Sequence, residues 1–190
     1  DLLRGFLNFF EFSFSNRAHI VRLVAIAVSI SFRDTEILKI EGSNTLANAA
    51  TISANYCLSG DIDASLLILP DGVTLDCQGH NIVGSRSSGS FGVRVSSSDS
   101  VTVRNCIISY FETGISYTNV NGGSILQNML YNNVQNGISI GPGASFTMNE
   151  NLVFDNTVGL RLSDTTSNII SGNTFCSNDE AGYVESRDVG

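Results

Sequence analysis

Lysine occurs once in this 190-residue chain, at Lys39, and neither lysine nor arginine falls between Asn121 and Leu160. Neutralising phosphates needs clustered cations, so this scarcity argues against a nucleic-acid partner. It also disfavours an anionic polysaccharide along that stretch unless calcium bridges the charges. Tryptophan is absent, yet 42% of the residues are hydrophobic, enough for a continuous core. Charged residues make up only 15% and the formal net charge is -8. With abundant Ser, Thr and Asn, that balance suits the neutral polar surface of a soluble extracellular protein. There is no Cys-x-x-Cys, and His19 and His80 stand alone. No metal site and no cofactor are expected. A transmembrane helix needs about 20 apolar residues. The longest candidate run is fenced by Arg22 and Arg33, so no membrane span is expected.

Against these absences stands a regular repeat. Gly92, Gly114, Gly137, Gly159 and Gly182 recur at an almost constant interval, whose successive steps differ by a single position. The first four are followed by apolar-x-apolar triplets: Val93-Arg94-Val95, Ile115-Ser116-Tyr117, Ile138-Ser139-Ile140 and Leu160-Arg161-Leu162. In the fifth, Tyr183-Val184-Glu185, the pattern degrades. A second register, Asn105, Asn128, Asn151 and Asn173, runs in phase with it. Its last three members open Asn-x-apolar-x-x-Asn, reaching Asn133, Asn156 and Asn178. A fixed period of this length marks a repeat architecture. Each unit holds about three short strands. Strands stacked at ~4.8 Å bury together what one coil cannot bury alone. A stacked Asn can bond the next Asn and the turn backbone at once. The Asn and Gly rows are therefore expected to be architectural ladders. Val93, Ile115, Ile138 and Leu160 should point inward, as should Ile107, Leu130, Val153 and Phe175.

These units resemble the right-handed parallel β-helix repeat of pectate-lyase-like proteins and of the periplasmic copper-maturation family with NosD-type repeats. The segment from Val73 to Gly84, VTLDCQGHNIVG, resembles an opening coil of that group. The resemblance covers roughly residues 55 to 190. It implies an all-β fold, a right-handed parallel β-helix of about five to six coils, and says little about function, because the scaffold hosts many activities. Gly84 to Ser90 is an insertion, expected to bulge between Val83 and Phe91.

The resemblance also supplies tests for catalysis. Pectate lyases use an Asp cluster for calcium and a nearby Arg; polygalacturonase relatives use paired Asp, Gly-His-Gly and Arg-x-Lys. The chain has no Asp-Asp, no Gly-His-Gly and no Arg-x-Lys. Asp61, Asp63, Asp71 and Asp76 read as turn residues, and His80 belongs to the opening-coil segment. Arg94, Ser116, Ser139 and Arg161 share one outward row, with Arg104 on another strand. The two arginines of the row lie three coils apart, ~14 Å, too far to act together. Carboxylate pairs for acid–base work need about 5 to 10 Å. Glu112, Glu150, Asp155 and Asp164 share no register. Thr102, Thr147 and Thr157 form no regular Thr-x-Thr row for ice binding. No catalytic residue is assigned.

Four cysteines, Cys57, Cys77, Cys106 and Cys176, favour an oxidising compartment. Cys57 and Cys77, separated by roughly the length of one coil, could stack on adjacent coils as a disulfide. Cys77–Cys106 is the rival pairing, and four reduced core cysteines the third. Cys176 lies some three coils beyond Cys106, out of its reach.

The N-terminal third is different material. Six of the eleven Phe lie at or before Phe32. Leu3, Phe6, Leu7 and Phe10 have helical spacing. From Val24 the chain alternates, with Ile26, Val28, Ile30 and Phe32 on one side, like a long strand starting near Ile20. Arg17 and Arg22 before an apolar stretch also fit a signal peptide by composition. The preferred reading is a cap or assembly segment over residues 1–45, laid on the first coil of a β-helix formed by residues 46–190. The open ends of a β-helix are adhesive. No cap-helix pattern follows the degraded fifth strand.

The expected function is an extracellular or cell-surface structural protein: a subunit of a filament, sheath, appendage or wall. Its partners would be other copies joined head to tail, with residues 1–32 touching a neighbour. The alternative is a carbohydrate-active or carbohydrate-binding β-helix, perhaps part of a longer protein, with a polysaccharide as partner.

Overall fold

A computed structural model describes residues 50–68 and 70–186. The expected N-terminal segment, including Ile20 to Phe32, lies outside the described residues. Those described contain short strands and no helix.

The strands stack in parallel as a β-helix of about six turns, with three main faces. The first face orders Ala50–Ile52, Leu66–Ile68, Phe91–Ser96, Thr113–Thr118, Asn136–Ile140, Val158–Ser163 and Ala181–Ser186. The second runs from Tyr56–Cys57 through Thr74–Asp76, Thr102–Arg104, Ser124–Leu126 and Thr147–Asn149 to Ile169–Ser171. The third holds Asn81–Val83, Ile107–Ser109, Met129–Tyr131, Leu152–Phe154 and Thr174–Cys176. A minor sheet, Val120–Asn121, Gly143–Ala144 and Thr165–Thr166, lies between the first and second faces along the chain. The degraded fifth repeat still pairs: Leu160 stands beside Tyr183 and Leu162 beside Glu185.

Corners obey one rule. From the strand Thr102–Arg104 on, each turn from the second face to the third begins with a left-handed residue: Asn105, Gln127, Glu150 and Gly172, with φ of 54°, 56°, 56° and 64°; in the turn before, Cys77 comes first and Gln78 and Gly79 are left-handed. Tyr110, Asn132, Asp155 and Ser177 play the same part between the third face and the first. Left-handed backbone folds the chain sharply enough to start a new face, at a steric cost for residues with a Cβ. At both corners the next residue turns inward and forms a ladder.

Inside, equivalent apolar positions stack. Val93, Ile115, Ile138 and Leu160 are fully buried, as are Leu130 and Val153, while Phe175 packs on the core half-buried. Ile107 departs from expectation. It faces outward, and Ile108 is the buried residue. Met129 pairs with Ile107 on one side and Leu152 on the other, and the step back to Ile107 is the shorter by a single position. Counting the longer step throughout shifts that strand by one position, and such a shift turns a strand over.

Candidate functional site

The same shift removes Asn105 from the ladder. It occupies the left-handed corner position, and Cys106 stands where the Asn row should begin. Above Cys106 the ladder is a continuous hydrogen-bonded column. Asn128 Oδ1 accepts the Cys106 N–H at 2.9 Å, and Asn151 Oδ1 accepts both the N–H and the Nδ2–H of Asn128 at 3.0 Å. Asn173 Oδ1 repeats this for Asn151. Each Nδ2 also donates to a carbonyl of the coil before: Val103, Ile125 and Met148. A parallel column, Asn133, Asn156 and Asn178, starts by accepting the Phe111 N–H. No buried side-chain nitrogen or oxygen among the described residues lacks a partner.

The Gly row fits between these columns and the core. A Cβ on Gly114 would lie 2.6 Å from the Gly137 carbonyl and 2.8 Å from Leu130 Cδ2. None of the five has positive φ, so at Gly92, Gly114, Gly137 and Gly159 space and not backbone freedom fixes glycine, while a Cβ on Gly182 would come no closer than 3.3 Å to its neighbours.

Cys77 is bonded to Cys106, with Cα atoms 4.7 Å apart. The expected Cys57–Cys77 pair is therefore corrected. The register explains why: Cys57 lies beside Asp76, one position before Cys77, and so faces outward while Cys77 is fully buried. Cys57 and Cys176 are free. The bridge joins the coil of Thr74–Asp76 to that of Thr102–Arg104, at the point where the Asn column stops. No regularity of spacing could show that a cysteine substitutes for a ladder asparagine.

Most of the charged candidates are used locally. Arg94, Ser116, Ser139 and Arg161 do share a row on the first face. Arg94 lies over the Phe91 ring, and Arg161 donates to Asn136 Oδ1 at 3.1 Å. Glu112 accepts the Gly89 N–H of the inserted loop at 2.6 Å, and Glu150 accepts from Gln127 at 2.9 Å. Asp76 accepts from Arg104 at 2.9 Å, from Asn105 at 3.0 Å and from the Gln78 N–H at 2.9 Å. Burial alone would raise the Asp76 carboxyl, but the bonds from Asn105, Gln78 and Arg104 outweigh it and hold it below the ordinary value. Bonds from the Asn81 backbone and side chain, and then His80, likewise lower Asp61. Tyr117, wholly buried, is pushed up by desolvation and donates to backbone carbonyls at the core.

Two surface features remain. A shallow groove of about 470 Å³ is lined by Gln78, Gly79, Asn105, Cys106, Ile107, Gln127 and Met129. Beside it the third face is apolar outside as well as inside. Tyr131 and Phe154 stack at 5.2 Å, and Tyr110 meets Tyr131 edge-on at 6.4 Å.

Residues 30–188 match the family model described as "Periplasmic copper-binding protein (NosD)". No curated protein and no solved structure matches the chain. Copper favours thiolate, thioether and imidazole donors gathered in one place. Among the described residues no group of three or more His, Cys, Asp or Glu could hold a metal ion. Cys77 and Cys106 are tied in the disulfide, and Met148 is fully buried. His80 faces Asp61, its Nδ1 3.4 Å from Oδ1. Met129, Cys57 and Cys176 stand on separate strands of separate coils. The described residues do not fit a resident copper ion. Nor does any helix among them have the length and apolarity to cross a membrane.

Proposed function

We propose, for a chain that belongs to the NosD family of periplasmic copper-binding proteins, that its β-helix works outside the cytoplasm as a structural subunit joined to other copies end to end. The disulfide suits an oxidising compartment. One observation carries the assembly reading. In the last described coil the inward positions are open: Ile170 is 38% exposed and Tyr183 46%, though their partners one coil below, Met148 and Leu160, are fully buried. Strand edges and exposed apolar side chains lie together there, the kind of surface that β-augmentation extends. Head-to-tail contacts that do not close into a ring grow filaments. In this reading residues 1–32 contact the adjacent subunit. Light scattering across a concentration series tests it. The full chain should grow with concentration, and removal of residues 1–32 should leave soluble, unassembled β-helix. A strictly monomeric full chain, or a truncated one that polymerises as before, would refute it.

A second reading, polysaccharide binding, draws support from the groove. The side-chain amides of Gln78, Asn105 and Gln127 rim the apolar Ile107 and Met129. Asn105 and Gln127 donate to Asp76 and Glu150. Their carbonyl oxygens are acceptors suited to hydroxyl groups of a neutral glycan. A glycan array showing binding without turnover would favour it over a catalytic role.

A further inference from the structure

On the first and second faces, outward positions are polar or charged in most coils: Arg94, Ser116, Ser139 and Arg161 on one, Thr102, Arg104, Ser124, Thr147 and Asn149 on the other. The third face breaks that alternation. Met129-Leu130-Tyr131 and Leu152-Val153-Phe154 are apolar without interruption, and Ile107 precedes Ile108. Continuous apolar strands are the pattern of sheets covered on both sides. Here the inner members, Ile108, Leu130 and Val153, are fully buried, while the outer ones stay half-buried. Register stacks Ile107, Met129 and Leu152 in one row and Tyr131 with Phe154 in the next, with Val134 46% exposed beyond them. The result is one patch across three coils. Contiguous apolar surface of this kind marks an interaction site.

Arg86 lies 4.9 Å over the Tyr110 ring at the lower edge of the patch, and from there upward its surroundings are acidic. Glu150 and Asp155 stand at its two flanking corners, and the chain has no lysine or arginine from Asn121 to Leu160. Residues 50–186 carry twelve acids against four arginines. The occupant should therefore be apolar and basic. The chain itself contains such a segment. Residues 1–33 hold six Phe and four arginines, Arg4, Arg17, Arg22 and Arg33, against Asp1 and Glu11.

We infer that the outer third face receives residues 1–33 of a second copy. This rests on the assembly reading above and gives residues 1–33 a place in it: along the flank of the neighbouring β-helix, beside the end-on stacking of the coils. Large apolar side chains supply the contact area. Arginines near Glu150 and Asp155 orient it, so the contact weakens with salt.

The test uses the full chain. A photo-reactive phenylalanine analogue is placed at Leu152, with the same probe at Ser139 on the first face as control. Equal amounts of isotopically heavy and light chains are mixed, irradiated and mapped by mass spectrometry. Circular dichroism and light scattering are recorded on the same samples. Crosslinks from Leu152 into residues 1–33 of the other isotope are expected, at least tenfold above the Ser139 control and reduced in high salt. Leu152→Glu should raise the concentration needed for assembly by tenfold or more while the β spectrum is kept. Crosslinks confined to a single copy, crosslinks to another region, or no excess over Ser139 in an assembled sample would overturn this docking site and leave the assembly reading intact. A sample that stays monomeric would overturn both.

Discussion

Gly137 shows how tightly each residue is held by the coil beyond it. A methyl group there would collide with Val153 Cγ1 and lie 2.8 Å from the Gly159 carbonyl. Both obstacles belong to packed neighbours, one of them backbone, so neither can move away cheaply. Gly137→Ala should destabilise by about 1–3 kcal/mol, the range of overpacked cores. The neighbouring Ile138 fails by a different route. It is fully buried, and Ile138→Asp would place an unpaired carboxylate in the core, costing several kcal/mol. Urea titration of both variants should rank Ile138→Asp as the worse. Equal stability of Gly137→Ala and the parent would mean the ladder has slack that its geometry denies. The Gly row is plain in the sequence because the steric demand recurs from coil to coil at Gly92, Gly114, Gly137 and Gly159. A repeat count misplaces Ile107 and Asn105 because the interval from Ile107 to Met129 is a single position shorter than the one after it. Period counting cannot see where along the coil such a step is absorbed.

The corner between the second and third faces is where two stabilising devices meet. The Asn column needs an acceptor and donor at each level; the disulfide replaces it at its lower end. Cys106 gives its N–H to Asn128 but has no amide to offer Asn128 Oδ1. A bridge closing a 29-residue separation should contribute about 3 to 4 kcal/mol in the chain-entropy picture. Cys77→Ala with Cys106→Ala should lose most of that. Cys77→Ala with Cys106→Asn extends the column by one rung, adding an amide donor within reach of Asn128 Oδ1. It should recover about 1 kcal/mol, the worth of one net hydrogen bond. Denaturant midpoints of the two double variants measure the difference. No advantage for the asparagine variant would show that the column cannot extend below Asn128. The disulfide partner is only half legible in the sequence. Spacing offers both Cys57 and Cys106, and only the strand register, which sends Cys57 outward beside Asp76, decides between them. The outer third face escapes the repeat pattern for a related reason. Its apolar triplets satisfy that pattern with their inner members alone, and the outer ones add no periodic signal.

Across the whole molecule, stability should vary with position along the axis. Each coil touches only its neighbours, so a solenoid is stabilised coil by coil and its ends open first. The middle coils, through Thr113–Thr118, Asn136–Ile140 and Val158–Ser163, have partners on both sides and a fully buried interior. The earlier end is clamped by Cys77–Cys106. The strands Ile169–Ser171 and Thr174–Cys176 pair on one side only, and Ile169 is 62% exposed. Hydrogen exchange of the dilute protein should therefore show slow amides in Asn136–Ile140 and much faster ones in those two strands. The gradient also reports on assembly. If a second copy stacks on the open end, its strand pairs cover the amides of 169–176, and their exchange slows as concentration rises. Amides of the middle coils should not change. Last-coil amides that are already as slow as those of Asn136–Ile140 in dilute solution would show that the end is closed in the monomer. Fast exchange that persists at every concentration in a sample that scatters as a polymer would rule out end-on stacking and leave growth to the flank contact of residues 1–33.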